Sequence, residues 1–150
     1  PTLCLQVLVY NELAEWRKAE ETAKIWIESS FPDEDRDSLF KYIESLYKKV
    51  PKLKNEKLGK VLSFFPGLEH IYAGYVGEGL VSFTLNAAIL TFGVYQAWHT
   101  YYITAYIGGA GLLSATYLGS MKRGDYLVKK RNDNKIREYN DRLKNALLDI

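Results

Sequence analysis

The sequence has one cysteine, two histidines and four prolines in 150 residues, and from Gly79 to Met121 it has no Asp, Glu, Lys or Arg. Each shortage excludes something. Cys4 alone supports neither an intramolecular disulfide nor a zinc cluster of the CxxC type. His70 and His99 flank an apolar segment that would hold them about 27 Å apart as a helix, too far to share an ion within one chain. No GxSxG elbow, GxxxxGK[ST] loop or HExxH helix occurs. Enzymatic activity, bound metal and cofactors are therefore not expected. The chain does not open on Met or on a signal-peptide pattern, so Pro1 is expected to follow a removed or missing segment.

The missing charge is the most informative absence. Charges scattered at one residue in four would leave a run this long about once in several hundred thousand placements. The charge that exists is also segregated. Residues 1–47 carry five Lys/Arg against ten Asp/Glu, residues 48–78 six against three, and residues 122–150 nine against five. An acidic first third, a basic connector and a basic tail thus surround an uncharged centre. The tail's cations alternate with acids and the net charge is only +2, so nucleic acid is excluded as a partner.

The first third reads as helical. Trp16, Ala19, Ala23 and Ile27 follow the three-and-four spacing of one buried helix face, with the polar turn near Asn11 separating two antiparallel helices. A further helix is expected from Asp37, with Leu39, Tyr42, Ile43, Leu46, Tyr47 and Val50 as its apolar positions and Pro51 closing it. "YNELAEWRKAEETAKIWIESSFP" resembles the second half of a tetratricopeptide repeat, with Tyr10, Ala19 and Pro32 near that repeat's Tyr, small Ala and terminal Pro. One such repeat cannot bury its apolar face alone.

The uncharged centre divides into Leu80–Trp98 and Ile103–Met121, each close to the twenty residues that cross a hydrocarbon core of about 30 Å. "HTYY" between them leaves room only for a tight turn. The expected structure is a transmembrane helical hairpin with both chain ends on one side. Trp98, Tyr101 and Tyr102 would anchor its turn at headgroup depth. Gly111, Ala115 and Gly119, with Ala105 and Gly109 on an adjacent line, would be its helix-packing face. Lys52, Lys54, Lys57, Lys60, Lys122 and Arg123 flank it as lipid-headgroup contacts. A pair of fully buried helices in a soluble complex is the competing reading.

Ahead of the centre stands "PGLEHIYAGYVGEGLVSFTLN". Its glycines and Pro66 suit a chain that turns and packs closely on entering the bilayer, with Phe64 and Phe65 dipping into the interface. The stretch resembles the pattern PGxGQxYxGxxxxGxxSFxLN of bacterial cell-envelope membrane proteins, notably of Bacteroidota, which often lies behind tetratricopeptide-like helices. It is distantly similar to the hairpin of TM2-domain proteins. The matching positions are Pro66, Gly67, His70 (for Gln), Tyr72, Gly74, Gly79, Ser82, Phe83, Leu85 and Asn86. Glu69 stands where the pattern has Gly, and a local ion pair with a lysine of 57–60 is expected of it. The resemblance implies a bacterial envelope membrane, inner or outer being open, with the N-terminal helices periplasmic. The positive-inside rule, applied to an inner membrane, would put both ends in the cytoplasm instead.

In the tail, Ile136, Tyr139, Leu143, Leu147 and Ile150 form an apolar stripe at helical spacing, for packing on the N-terminal helices, for a partner or for lipid. The reading is all-α in four parts: residues 1–50 tetratricopeptide-like, 51–65 a basic juxtamembrane connector, 66–121 the bilayer-entering motif and hairpin, and 122–150 an amphipathic helix. The function expected is a non-enzymatic membrane-anchored subunit or scaffold of an envelope complex, its partners being membrane lipid and other envelope membrane proteins. The alternative is a small oligomeric pore or transporter lined by Asn86, Gln96 and His99.

Overall fold

The computed structural model describes residues 2–149, and among these every regular element is helical. The elements are α1 (Thr2–Glu12), α2 (Trp16–Ser30), α3 (Asp33–Tyr47), α4 (Glu56–Leu62), α5 (Leu68–Ala73), α6 (Val76–Trp98), α7 (Tyr102–Thr104), a π-helical segment (Ala105–Gly111) and α8 (Leu112–Leu148). They form two compact units. One comprises residues up to Leu53 with those from Asp133 on, and the other comprises Lys54–Asn132.

The first unit is a bundle of α1, α2, α3 and the C-terminal part of α8. Ala19, Ala23 and Ile27 are fully buried, and Trp16 packs at the edge, as the spacing requires. The helix α3 starts four residues before Asp37, because extended Pro32 precedes it and Asp33, Glu34 and Asp35 place negative charge in its first turn. It ends at Tyr47, short of Pro51. Tyr139, Leu143 and Leu147 join Val7, Ile43 and Tyr47 in the same core, so the tail's apolar stripe is covered by this chain itself. Ile150 lies outside the described residues. The four-part division is thereby corrected in one respect. Residue 122 begins no element, since charge begins there but nothing breaks the helix, and α8 runs through it.

A polar network crosses the core of this unit. Asn140 donates to the Asn11 carbonyl at 2.6 Å and accepts from Trp16 Nε1 at 3.1 Å. Tyr47 donates to Asn11 Oδ1 at 3.0 Å, and Tyr139 to the Leu46 carbonyl at 2.9 Å. Burial pushes the Tyr47 phenol up to about 12, which keeps it a donor at any working pH. Asn140→Ala strands a buried carbonyl and an indole N–H together. It is expected to cost about 2–3 kcal/mol, read by thermal unfolding followed through tryptophan fluorescence.

The second unit holds α4 to α7, the π-helical segment and the first part of α8. The basic connector is helical in its second half: Asn55 caps α4 by accepting from the Lys57 and Leu58 amides at 2.9 and 3.2 Å. Asn132 clamps the start of this segment, accepting from the Lys54 amide at 2.8 Å and donating to the Lys54 carbonyl at 2.9 Å. The helix α6 begins at Val76, three residues ahead of the uncharged run, and so includes Glu78. It is the one helix among the described residues long and apolar enough to cross a membrane. A three-residue turn, His99–Tyr101, with Thr100 left-handed, reverses the chain into α7.

Candidate functional site

The site is built where α6 meets the returning helix and where α4 and α5 close over one end of that pair. The two helices run antiparallel, because contacts advance along one as they retreat along the other. Ser82 Oγ meets Ser120 Oγ at 2.6 Å, Thr116 donates to Asn86 Oδ1 at 3.0 Å, and Gly93 faces Gly109. Asn86 also donates to the Ser82 carbonyl at 2.8 Å, so both ends of its amide are bonded and the side chain is buried. Near the turn the two backbones touch. A Cβ on Gly109 would stand 2.6 Å from Gly93 Cα. This touching point lies in the π-helical segment, whose wider turn is accommodated by Gly108, Gly109 and Gly111.

The small residues of the expected packing face divide between two sides of the returning helix. Gly109 and, half-buried, Ala105 face α6, but Gly111, Ala115 and Gly119 are exposed, and Gly119 has nothing near it. The hydrogen-bonding side chains decide this. Ser82 and Asn86 require partners in an apolar setting, and Thr116 and Ser120 supply them from a line one step around the helix. Spacing of small residues alone does not carry that information.

Around the pair the polarity is inverted relative to a water-soluble fold. Ser82, Asn86, Thr116 and Ser120 meet between the helices and are bonded there, exposed Thr91 and Ser114 bond back to carbonyls of their own helix, and Leu80, Val81, Phe83, Leu90, Phe92 and Val94 point outward. The most apolar stretch of α6 is only 6% buried. Trp98 (84% exposed), Tyr101 and Tyr102 stand free at the turn. A groove of 540 Å³ lies on one side of the pair, between Pro66, Phe83, Leu90 and Tyr117. A second, of 530 Å³, lies beside His70, Glu78 and Arg123.

The opening motif forms the end cap. Gly67 is left-handed (φ 88°) and presses on Gly79, and Gly74 is left-handed too (φ 92°). These turns fold α5 back on the first turn of α6. Pro66 lines the first groove, and Tyr72 accepts from the Asn55 amide at 3.0 Å while Lys54 Nζ lies 4.6 Å from its ring. Tyr117 donates to the Phe64 carbonyl at 3.0 Å. Phe64 and Phe65, each 65% exposed, project from the link between α4 and α5. Lys52, Lys57, Lys60 and Lys122 are exposed. Arg123 is not free: it makes a two-pronged ion pair with Glu78 at 3.0 and 3.2 Å.

Glu69 and His70 are both buried. The expected ion pair of Glu69 with a lysine does not form. Its carboxyl is 1% exposed and wedged between Gly59 and Gly124, with neither oxygen bonded. Burial, with the Asp125 carboxyl next in effect, pushes it up to about 7, against a smaller pull from Lys60. Burial lowers His70, which favours the neutral imidazole. Among the described residues no three of His, Cys, Asp and Glu cluster as metal ligands. Comparisons with protein-family models, with curated proteins and with solved structures find no match to this chain.

Proposed function

We propose that the chain is a non-enzymatic, membrane-anchored subunit of a bacterial cell-envelope complex. In this reading α6 and the returning helix cross the bilayer as a hairpin, with the N-terminal tetratricopeptide-like bundle offering a surface to another protein. The observation that carries it is the inverted polarity of the antiparallel pair. Bonded Ser82, Asn86, Thr116 and Ser120 lie between the helices, a mostly apolar surface lies outside, and no charge occurs from Gly79 to Met121. A water-soluble monomer rarely exposes a contiguous apolar surface of this kind, and hydrocarbon requires its polar groups to be paired internally.

The rest of the reading follows from position. Exposed aromatic side chains gather at the turn and exposed lysines at the other end, as at two bilayer interfaces. The exposed line Gly111, Ala115, Gly119 suits close approach by a helix of a neighbouring membrane protein. The resemblance of "PGLEHIYAGYVGEGLVSFTLN" to envelope proteins supplies the setting, a bacterial envelope membrane, with the bundle periplasmic. The test is extraction of the tagged chain from native membranes after inner and outer membranes are separated. The reading expects resistance to alkaline carbonate, release by mild detergent and co-purification of other membrane proteins at fixed ratio. Release by carbonate contradicts the anchor; a solitary monomer in detergent contradicts the subunit.

A further inference from the structure

The carboxyl of Glu69 is the most unusual group in the second unit. It lies at the junction of three helices: its own α5, α4 through Gly59, and α8 through Gly124. A Cβ at residue 59 would come within 3.2 Å of Glu69 Oε1, and one at residue 124 would collide with Oε2, so two glycines make room for this one side chain. Among the described residues no hydrogen bond of ordinary geometry reaches either oxygen, the Asp125 carboxyl is the polar side chain that acts on it most, and both oxygens are sealed from solvent. Ionisable groups act on the site from the two elements packed on α5, Lys60 on α4 and Asp125 on α8, while His70, next in the chain, faces Glu78 and Arg123 instead. The lysine is exposed, and Asp125, itself an acid, opposes a second negative charge.

A carboxylate buried without donors or a paired cation is strongly disfavoured, whereas a neutral acid of the same shape fills the space without that penalty. We propose that Glu69 is a protonation latch. As the neutral acid it holds α4 and α5 against α8, and on losing its proton it loosens that junction and frees α4 with the exposed Phe64 and Phe65 of the link that follows it. The balance is simple: one proton passes from the carboxyl to solvent, and no other group changes. The inference does not depend on the membrane reading, since the junction lies outside the uncharged helices.

The sign follows from the upward displacement. Stability that depends on the neutral acid is complete below the ordinary glutamate value of 4.5, falls as pH rises, and is fully lost above about 7. The experiment uses the full chain in detergent micelles with glutamate labelled by ¹³C at the side-chain carboxyl. One resonance, absent in Glu69→Gln, should titrate near 7 while the other glutamates titrate in the usual range, and Asp125→Asn should move it down. Amide protection in α4, corrected for intrinsic exchange, should fall about tenfold or more between pH 6 and 8 in the wild type and hold steady in Glu69→Gln. If Glu69→Gln does not fold, the wild-type titration and its displacement in Asp125→Asn decide alone. Glutamate resonances that all titrate in the usual range overturn the proposal, as does α4 protection that is independent of pH.

Discussion

Gly67→Ala is expected to unfold the end cap of the second unit. The residue sits at φ 88°, where an L side chain costs roughly 1–2 kcal/mol, and its Cβ would run into the backbone carbonyl of Gly79. That contact is backbone against backbone, so no side chain can rotate away, and overpacking adds about 1–3 kcal/mol. The first turn of α6 would have to move off α5, because Gly79 already lies against Ile71 and Gly67. The change should lower the thermal midpoint of the purified chain and remove protection from amides in α5. Gly77→Ala serves as the control, since a Cβ there meets nothing. Equal midpoints for the two variants would mean that the turn at Gly67 does not hold the cap.

The second large effect is expected at the touching point of the antiparallel pair. Gly109→Leu puts a branched side chain where a Cβ would already stand 2.6 Å from Gly93 Cα. The two helices must then separate near the turn, at a cost of about 1–3 kcal/mol or more. Separation would also strain the Asn86–Thr116 bond deeper in the pair. Gly119→Leu on the exposed line should leave the stability of the isolated chain unchanged and, under the proposed function, weaken its retention of partners. Thermal unfolding in detergent separates the two variants, and co-purification reads the second consequence.

These outcomes also mark what the residues disclosed in advance and what they did not. The buried face of α2, the turn near Asn11 and the turn at His99–Tyr101 follow from local rules, in which apolar spacing and polar or aromatic breaks suffice. The limits of α4 and α8 do not. Lysine richness reads as a basic juxtamembrane connector, yet Asn55 caps a helix within it. A change from uncharged to basic residues reads as a boundary, yet a run without proline from Leu112 to Leu148 has nothing to stop it. At the site, the inward face of the returning helix was set by which side chains bond Ser82 and Asn86, a matter of pairing between distant segments. Glu69 shows the same limit more sharply. Its neighbours Gly59 and Gly124 are 10 and 55 residues away in the chain, and nothing local signals that they enclose it.

The central claim, that α6 and the helix returning from its turn lie in a bilayer as a hairpin, is tested most directly by cysteine accessibility. Cys4 is the one cysteine of the sequence, so a Cys4→Ser background leaves it without a thiol. Single cysteines would replace Lys60, Phe83, Val94, Thr100 and Lys129, all exposed in the isolated chain. Each would be probed in sealed native membrane vesicles with a maleimide that does not cross lipid. Positions 83 and 94 should resist labelling until detergent is added. Positions 60 and 129 should react from one side of the membrane and position 100 only from the other. Labelling of 83 and 94 in intact vesicles at the rate of 60 would contradict the claim, and so would reaction of 60, 100 and 129 from the same side.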